Sequence, residues 1–247
     1  MTLTHPDAHR DAPELTGERL TTLGSQLRSV LDGPYASERA VARATFPADD
    51  LLRDPSLDVA ASREWTLQRL LDLDRHGFGH AGVPDGANTV SDPLVAVLAF
   101  ETLAHGDLSV TIKSGVQFGL FGGAVTNLGT AWHHETFLPD ITSMRLLGGF
   151  AMTEIGHGSD VASLETTITY LSETDELEVH SPSPSATKAY IGNAAKDGTM
   201  AAVFGQLIVG GASHGVHVVL VPLRDDTGAD LPGVATGDQG HKGGLLG

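Results

Sequence analysis

Hydrophobic and polar positions recur with a helical period along the first half of the chain, up to about Ser143. In residues 64–75, leucines at 67, 70 and 71 share one face and charged residues lie opposite, which predicts an amphipathic helix. Ser91, followed by Asp92 and Pro93, is typical of a helix N-terminus, and the helix predicted over residues 94–105 ends at Gly106. Further helices are predicted over residues 17–31, 37–45 and 131–145, the last kinked or interrupted at Pro139.

The period changes from 3.6 to 2 after Gly148 and Gly149. Residues 164–170 and 177–181 alternate around a turn and predict a β-hairpin, and residues 200–209 and 216–223 predict two buried strands joined by a glycine-rich loop. Helices followed by strands predict an α+β fold, in which an all-α domain packs on an antiparallel, barrel-like β domain. We place the two domains at residues 1–147 and 148–247.

Composition narrows the class of protein. The chain has 247 residues, 31 acidic against 15 basic side chains, a net charge of −16 and no cysteine. The acidic balance argues against a nucleic-acid partner, and the missing cysteines exclude a disulfide scaffold and a thiolate nucleophile. The first ten residues lack an apolar leader, and the uncharged stretches 114–134 and 198–223 are broken by glycine and polar residues. We therefore expect a cytoplasmic protein with no membrane or nucleic-acid partner.

Several sequence motifs of known binding or catalytic sites are matched only in part, and their context does not support the corresponding function. Residues 77–82 read GFGHAG and match a dinucleotide fingerprint in letters, but a helix precedes them and a turn follows, so a loop is the better interpretation. The twelve histidines lack metal-binding spacings, and we predict no metal site. Ser159 lacks the second glycine of a hydrolase elbow.

The most informative stretch is residues 148–160, which read GGFAMTEIGHGSD. A strand-like run ends at Thr153 and enters a loop with glycines at 156 and 158. Glycines let a backbone approach a flat ligand, and a threonine hydroxyl can donate to or accept from a heteroaromatic edge. A tight loop in which the serine caps its own backbone fits the spacing equally well.

A family resemblance favours the ligand loop. Residues 149–206 resemble the middle β domain of the acyl-CoA oxidase branch of the acyl-CoA dehydrogenase superfamily. The resemblance rests on AMTEIGHGS at 151–159, LETTITY at 164–170, KAYIGN at 188–193 and VFGQL at 203–207. Residues 107–122 resemble the helical segment that precedes this domain, and residues 217–242 continue in register.

The resemblance implies FAD as the cofactor and α,β-dehydrogenation of an acyl-CoA thioester, with electrons passed to O₂ in an oxidase. It implies that Thr153 contacts the pyrimidine side of the flavin and that Met152 and Glu154 flank the flavin loop. Gly192, followed by Asn193, would meet the ring near its reactive edge. Gly158 and Ser159 would face the acyl-CoA entrance. Ala189 and Tyr190 stand where the family usually has tryptophans, which puts ring stacking in question.

The resemblance also implies what this chain does not supply. In the family the catalytic base is a carboxylate of a C-terminal helical domain, and we expect that domain to be absent here, so no catalytic residue is assigned. The expected function is the N-terminal portion of an FAD-dependent acyl-CoA oxidase, homodimeric when complete. The alternatives are an acyl-CoA dehydrogenase that uses an electron-transfer partner, a non-catalytic module that needs a C-terminal partner chain, and a binding domain without flavin.

Overall fold

The computed structural model describes residues 17–75, 93–240 and 242–245. The described part contains seven α-helices followed by five strands, and the α+β fold class is confirmed. The helices are α1 (Gly17–Asp32), α2 (Ala36–Thr45), α3 (Val59–Asp74), α4 (Pro93–Leu103), α5 (Leu108–Ser114), α6 (Gly123–Leu128) and α7 (Ala131–Thr142). The strands are β1 (Gly148–Ala151), β2 (Thr167–Leu171), β3 (Glu176–His180), β4 (Met200–Val209) and β5 (Ala212–Pro222).

The predicted helices are confirmed within a few residues of their ends. Asp58 caps α3 by accepting a hydrogen bond from Ala61 N, and Asp107 caps α5 in the same way from Ser109 N. Between α5 and α6 the chain forms a π-helix, Gly115–Gly122, so the helical backbone is continuous from residue 108 to 128. Pro139 does not interrupt α7, which continues through it to Thr142.

The sheet is mixed, whereas the sequence predicted a wholly antiparallel one. The strand order is β1-β4-β2-β3, and β5 pairs with the other edge of β4. The hairpin of β2 and β3 is antiparallel as predicted, but β1 and β2 both run parallel to β4, with Gly148 opposite Met200 and Thr167 opposite Gln206. Period-2 patterning identifies strands but not their partners, and here one edge of β4 pairs with two strands, β1 and β2, that precede it in the chain.

The predicted glycine-rich loop between β4 and β5 is shorter in the structure. The turn consists of Gly210 and Gly211, with φ values of +57° and +82°, and β5 already begins at Ala212. Glycine suits both positions because a two-residue hairpin turn of this kind needs positive φ.

The two halves share a hydrophobic core, in which the sheet packs against the helices. Phe121, Val125 and Ile141 from the helices pack with Ala202 and Phe204 of β4 in one buried cluster. The predicted domain boundary, between residues 147 and 148, falls immediately before β1 and stays a prediction. Among the described residues, no helix has the length and apolar character needed to cross a membrane. The motif at residues 77–82, His76, His80 and the predicted cap at Ser91 lie outside the described residues.

Candidate functional site

The loop that follows β1 runs antiparallel to a second segment, residues 185–189. Ala189 N donates to Thr153 O at 3.1 Å, and Ile155 N donates to Thr187 O at 3.0 Å. Gly156 N extends this pairing by donating to Ser185 O at 2.8 Å. The two stretches that the sequence singled out, around Thr153 and around Gly192, therefore belong to one local structure.

Lys188 joins the two stretches. Its Nζ donates three hydrogen bonds: to Met152 O at 3.1 Å, to Glu154 Oε1 at 2.9 Å and to Phe204 O at 2.7 Å. An ammonium group has three N–H donors, so all of them are used. The residues on both sides of Thr153 are fixed by a single side chain. Sequence reasoning missed this role, although Lys188 is a lone cation between uncharged neighbours.

Glu154 is a buried carboxylate whose two oxygens are both bound by the protein. Oε2 accepts from Glu165 N at 2.8 Å, and Oε1 accepts from Thr166 N at 3.0 Å as well as from Lys188. Burial raises the pKa of Glu154, but the hydrogen bonds from Thr166, Glu165 and Lys188 outweigh burial and lower the pKa to about 2. The carboxylate is thus held ionised and ties the loop to the residues that lead into β2.

The hydroxyl of Thr153 differs from the neighbouring polar groups, which are all hydrogen-bonded within the protein. Thr153 is half-buried, its main-chain oxygen accepts from Ala189, and its hydroxyl has no protein partner within the part of the chain described. A fixed, half-buried hydroxyl at a strand end can donate to or accept from a ligand. Met152, also half-buried, packs its side chain against the shared core.

Gly192 and Asn193 lie against the start of β1 and the π-helix. Asn193 Nδ2 donates to Gly148 O at 2.8 Å. A Cβ on Gly192 would lie 2.8 Å from Val116 Cγ2, so the helix requires a glycine there whether or not a ligand binds. Tyr190 has φ +61° and is 80% exposed, a strained conformation for an aromatic residue on an open surface.

Gly158 and Ser159 are exposed on the far side of the loop, and nothing lies within 4 Å of a Cβ placed on Gly158. The loop is anchored between them and Thr153 by His157, whose Nε2 lies 3.2 Å from Glu165 Oε1, while Ser183 Oγ donates to Glu165 Oε2 at 2.7 Å. The structure therefore brings Met152, Thr153 and Glu154 beside the 188–193 segment and leaves the proposed substrate residues open to solvent. Among the described residues, no cluster of side chains is arranged to hold a metal ion.

The described cavities do not coincide with this loop. A cavity of about 250 Å³ lies between α2 and α3, lined among others by Phe46, Leu51 and Leu73, and shares no residue with the loop. The candidate site is formed by residues 152–159 and 188–193, among which Gly158, Ser159 and Tyr190 are exposed.

Comparison with known proteins gives a consistent family. No family model matches the chain. Peroxisomal acyl-coenzyme A oxidase 2 of Arabidopsis thaliana is 41% identical over 192 residues, which is 75% of this chain and 27% of the relative. Acyl-coenzyme A oxidase 3 of Yarrowia lipolytica is 34% identical over 233 residues, 92% of this chain and 32% of the relative.

Solved structures agree with these relatives. The crystal structure of acyl-CoA oxidase 3 from Yarrowia lipolytica superposes with a TM-score of 0.73 at 31% identity, covering 88% of this chain and 31% of that one. Acyl-CoA oxidase-1 of Caenorhabditis elegans, in complex with FAD and ATP, gives a TM-score of 0.68 at 26% identity, covering 95% of this chain and 36% of that one.

Helices packed on a mixed sheet, with this loop after β1, define the acyl-CoA dehydrogenase-like fold. The chain belongs to the acyl-CoA oxidase and acyl-CoA dehydrogenase superfamily, as the sequence motifs implied. It spans about a quarter to a third of the length of the curated relatives named above.

Proposed function

We propose that this chain is a portion of an FAD-dependent acyl-CoA oxidase and that its loop after β1 binds the isoalloxazine ring. The observation that carries the proposal is the hydroxyl of Thr153, which has no partner among the described residues while Lys188 fixes the residues on both sides of it. The residues present fit a flavin, since the ring offers a flat edge of nitrogen and oxygen atoms to a fixed hydroxyl. The names of the relatives, and the FAD in the Caenorhabditis elegans structure, support the choice of cofactor.

Each site residue has a role in this proposal. Thr153 hydrogen-bonds the pyrimidine side of the ring, and Met152 and Glu154 set the loop around it, Glu154 through its buried ion pair. Gly192 presents its backbone to the ring, and Asn193 holds that backbone to β1 through Gly148 O. Gly158 and Ser159, which are exposed, line the entrance for the acyl-CoA thioester.

When bound, FAD would supply the two-electron acceptor for the hydride of the β carbon, while a base takes the proton of the α carbon. This chain's own residues bind and orient the ring; no residue of it is assigned as the base, because a base must lie within hydrogen-bond reach of the α proton. The oxidase reaction, with O₂ as the electron acceptor, is favoured over a dehydrogenase by the names of the relatives.

Titration of the purified 247-residue chain with FAD tests the cofactor. We expect the visible spectrum of FAD to shift and its fluorescence to change with saturation at one flavin per chain. A chain that leaves the FAD spectrum unchanged at high concentration contradicts the proposal and favours a binding domain without flavin. Anaerobic addition of an acyl-CoA then tests the chemistry, since bleaching of bound flavin by this chain alone would show that a base is present after all.

A second candidate is an assembly module that completes its site with another chain, and homodimerisation belongs to the same proposal. The specific observation in its favour is that Gly158, Ser159 and Tyr190, at the edge of the candidate site, are exposed in this chain. Bleaching of bound flavin only after a C-terminal partner chain is added would support the module.

The Arabidopsis relatives are peroxisomal by name, so the expected cytoplasmic location stays a prediction.

A further inference from the structure

Gln117 is a fully buried polar side chain whose hydrogen bonds all leave its own helix. Its Nε2 donates to Ile141 O at 3.1 Å and to Leu146 O at 2.8 Å, and its Oε1 accepts from Gly148 N at 3.0 Å. Burying an amide is costly unless its polar atoms are satisfied, so a leucine would serve packing alone at lower cost. The two bonds from Nε2 satisfy carbonyls at and beyond the end of α7. The third hydrogen bond, from Gly148 N to Gln117 Oε1, joins the helix to β1 and has no part in satisfying those carbonyls.

The π-helix that contains Gln117 contacts both β1 and the segment that carries Gly192. A Cβ placed on Gly192 would lie 2.8 Å from Val116 Cγ2, and a Cβ placed on Gly148 would overlap the ring of Phe121. A π-helical turn is rare and occurs often at functional sites, because its wider turn changes which side chains share a face. Here that turn brings Val116, Gln117 and Phe121 against two glycine backbones.

Gly148 is bound by a side-chain amide at each of its backbone groups. Its N–H donates to Gln117, and its carbonyl accepts from Asn193 Nδ2 at 2.8 Å. The series Gln117, Gly148, Asn193 therefore connects the helical half to β1 and then to the loop that carries Gly192. β1 leads within five residues to Thr153, so both proposed flavin contacts depend on the position of Gly148.

We propose that Gln117 is a positioning residue for the flavin site, which holds β1 and the 190–193 loop in their relative position. That the ligand is a flavin rests on the proposed function. The link between β1 and the 190–193 loop rests only on the hydrogen bonds of Gly148. Gln117 does not touch the ring. It acts through Gly148, and its loss leaves Thr153 and Gly192 chemically unchanged but free to move apart.

The test compares Gln117→Met with Thr66→Val in the full 247-residue chain. Both positions are fully buried and lose side-chain hydrogen bonds, but Thr66 bonds only to Ser62 O within α3, away from the site. With both variants folded by circular dichroism, we expect amide hydrogen exchange in β1 and residues 190–193 to be about 10-fold faster in Gln117→Met. We expect FAD to bind about 10-fold more weakly to Gln117→Met and equally to Thr66→Val.

The outcomes separate the inference from the proposed function. If the unmodified chain ignores FAD, the proposed function fails, and the exchange rates alone decide the role of Gln117. Unchanged exchange in β1 and 190–193, or unchanged FAD affinity in a chain that binds FAD, overturns the inference. Should Gln117→Met not fold, Gln117→Asn, whose shorter side chain cannot keep all three hydrogen bonds, takes its place with the same two measurements.

Discussion

Lys188 Nζ lies 2.7 Å from the main-chain oxygen of Phe204, at the point where one edge of β4 passes from its first parallel neighbour to its second. β1 pairs with β4 as far as Val203, and β2 takes over at Gln206. The ammonium thus bonds a backbone oxygen in the gap between two strands. Because the same ammonium also binds the loop around Thr153, the candidate site is built at that gap.

Replacing Lys188 with methionine is expected to lower the free energy of unfolding by about 3–5 kcal/mol, because it leaves the Glu154 carboxylate buried and unpaired. Equilibrium unfolding in urea measures the loss. Lys196→Met is the matched control: its ion pair with Glu64 is more than half exposed, and we expect a change below about 1 kcal/mol. Equal losses in the two variants would contradict the assigned role of Lys188.

Stability should fall in acid through Glu154. The pKa of its carboxyl is lowered from 4.5 to about 2 in the folded chain, so the folded state binds this proton less readily than the unfolded state. The contribution is fully present above about pH 4.5 and is lost as the pH falls towards 2. Unfolding measured across this range should be less pH-dependent in Glu154→Gln than in the unmodified chain or in Glu173→Gln, an exposed control.

Gly148→Ala should destabilise the chain by about 3 kcal/mol, since the added Cβ would overlap the buried ring of Phe121. Gly24→Ala provides the opposite control. It lies within α1 with nothing within 4 Å of its Cβ, and alanine there should stabilise by about 0.5–1 kcal/mol. Thermal unfolding of the two variants distinguishes a steric requirement at Gly148 from a general cost of losing glycine.

Gly192 has two candidate reasons to be glycine, and a double substitution separates them. Gly192→Ala brings its Cβ to 2.8 Å from Val116 Cγ2, so we expect it to weaken both stability and FAD binding. In a Val116→Ala background the space is free, and Gly192→Ala should then change both measurements little. If FAD binding is still lost in that background, the ring itself excludes the methyl group.

Thr153→Val should weaken FAD binding about 5- to 10-fold, the effect of losing one hydrogen bond, because valine keeps the shape but removes the hydroxyl. The free energy of unfolding should hardly change, since that hydroxyl has no protein partner in the described part of the chain. Thr169→Val, in β2 and also half-buried, is the matched control and should bind FAD normally. Normal FAD binding by Thr153→Val would remove Thr153 from the site.

The local sequence pattern predicted most helices and strands, but it did not predict which strands pair with each other. Residues 164–181 fold as the predicted hairpin because alternation and turn chemistry act within a few residues. The parallel pairing of β1 with β4 depends on contacts between distant parts of the chain, and no local period records it.

The residues that position the site were missed for a related reason. The hydroxyl of Thr153 beside a glycine-containing loop indicates contact with a ligand, and the family resemblance adds Gly192. Lys188 and Gln117 act on backbone atoms distant in sequence, so their partners are known only once the fold is known. In the sequence, Lys188 is recognisable only as a single charge in an uncharged stretch, and Gln117 only as a polar residue in the apolar segment 115–122.

The position of β4 in the sheet also has a consequence for the order in which the chain folds. Met200, the partner of Gly148, is synthesised about 50 residues after it, and the ribosome makes the N-terminal residues first. Until β4 emerges, β1 and β2 lack the strand with which both of them pair, and Lys188 has no Phe204 to bind. The helices can form during synthesis from local contacts, whereas the loop around Thr153 reaches its final shape only after residue 209 has been added. A nascent chain that stalls before Met200 carries every residue of the candidate site but lacks the strand that holds β1, β2 and Lys188 in their relative positions.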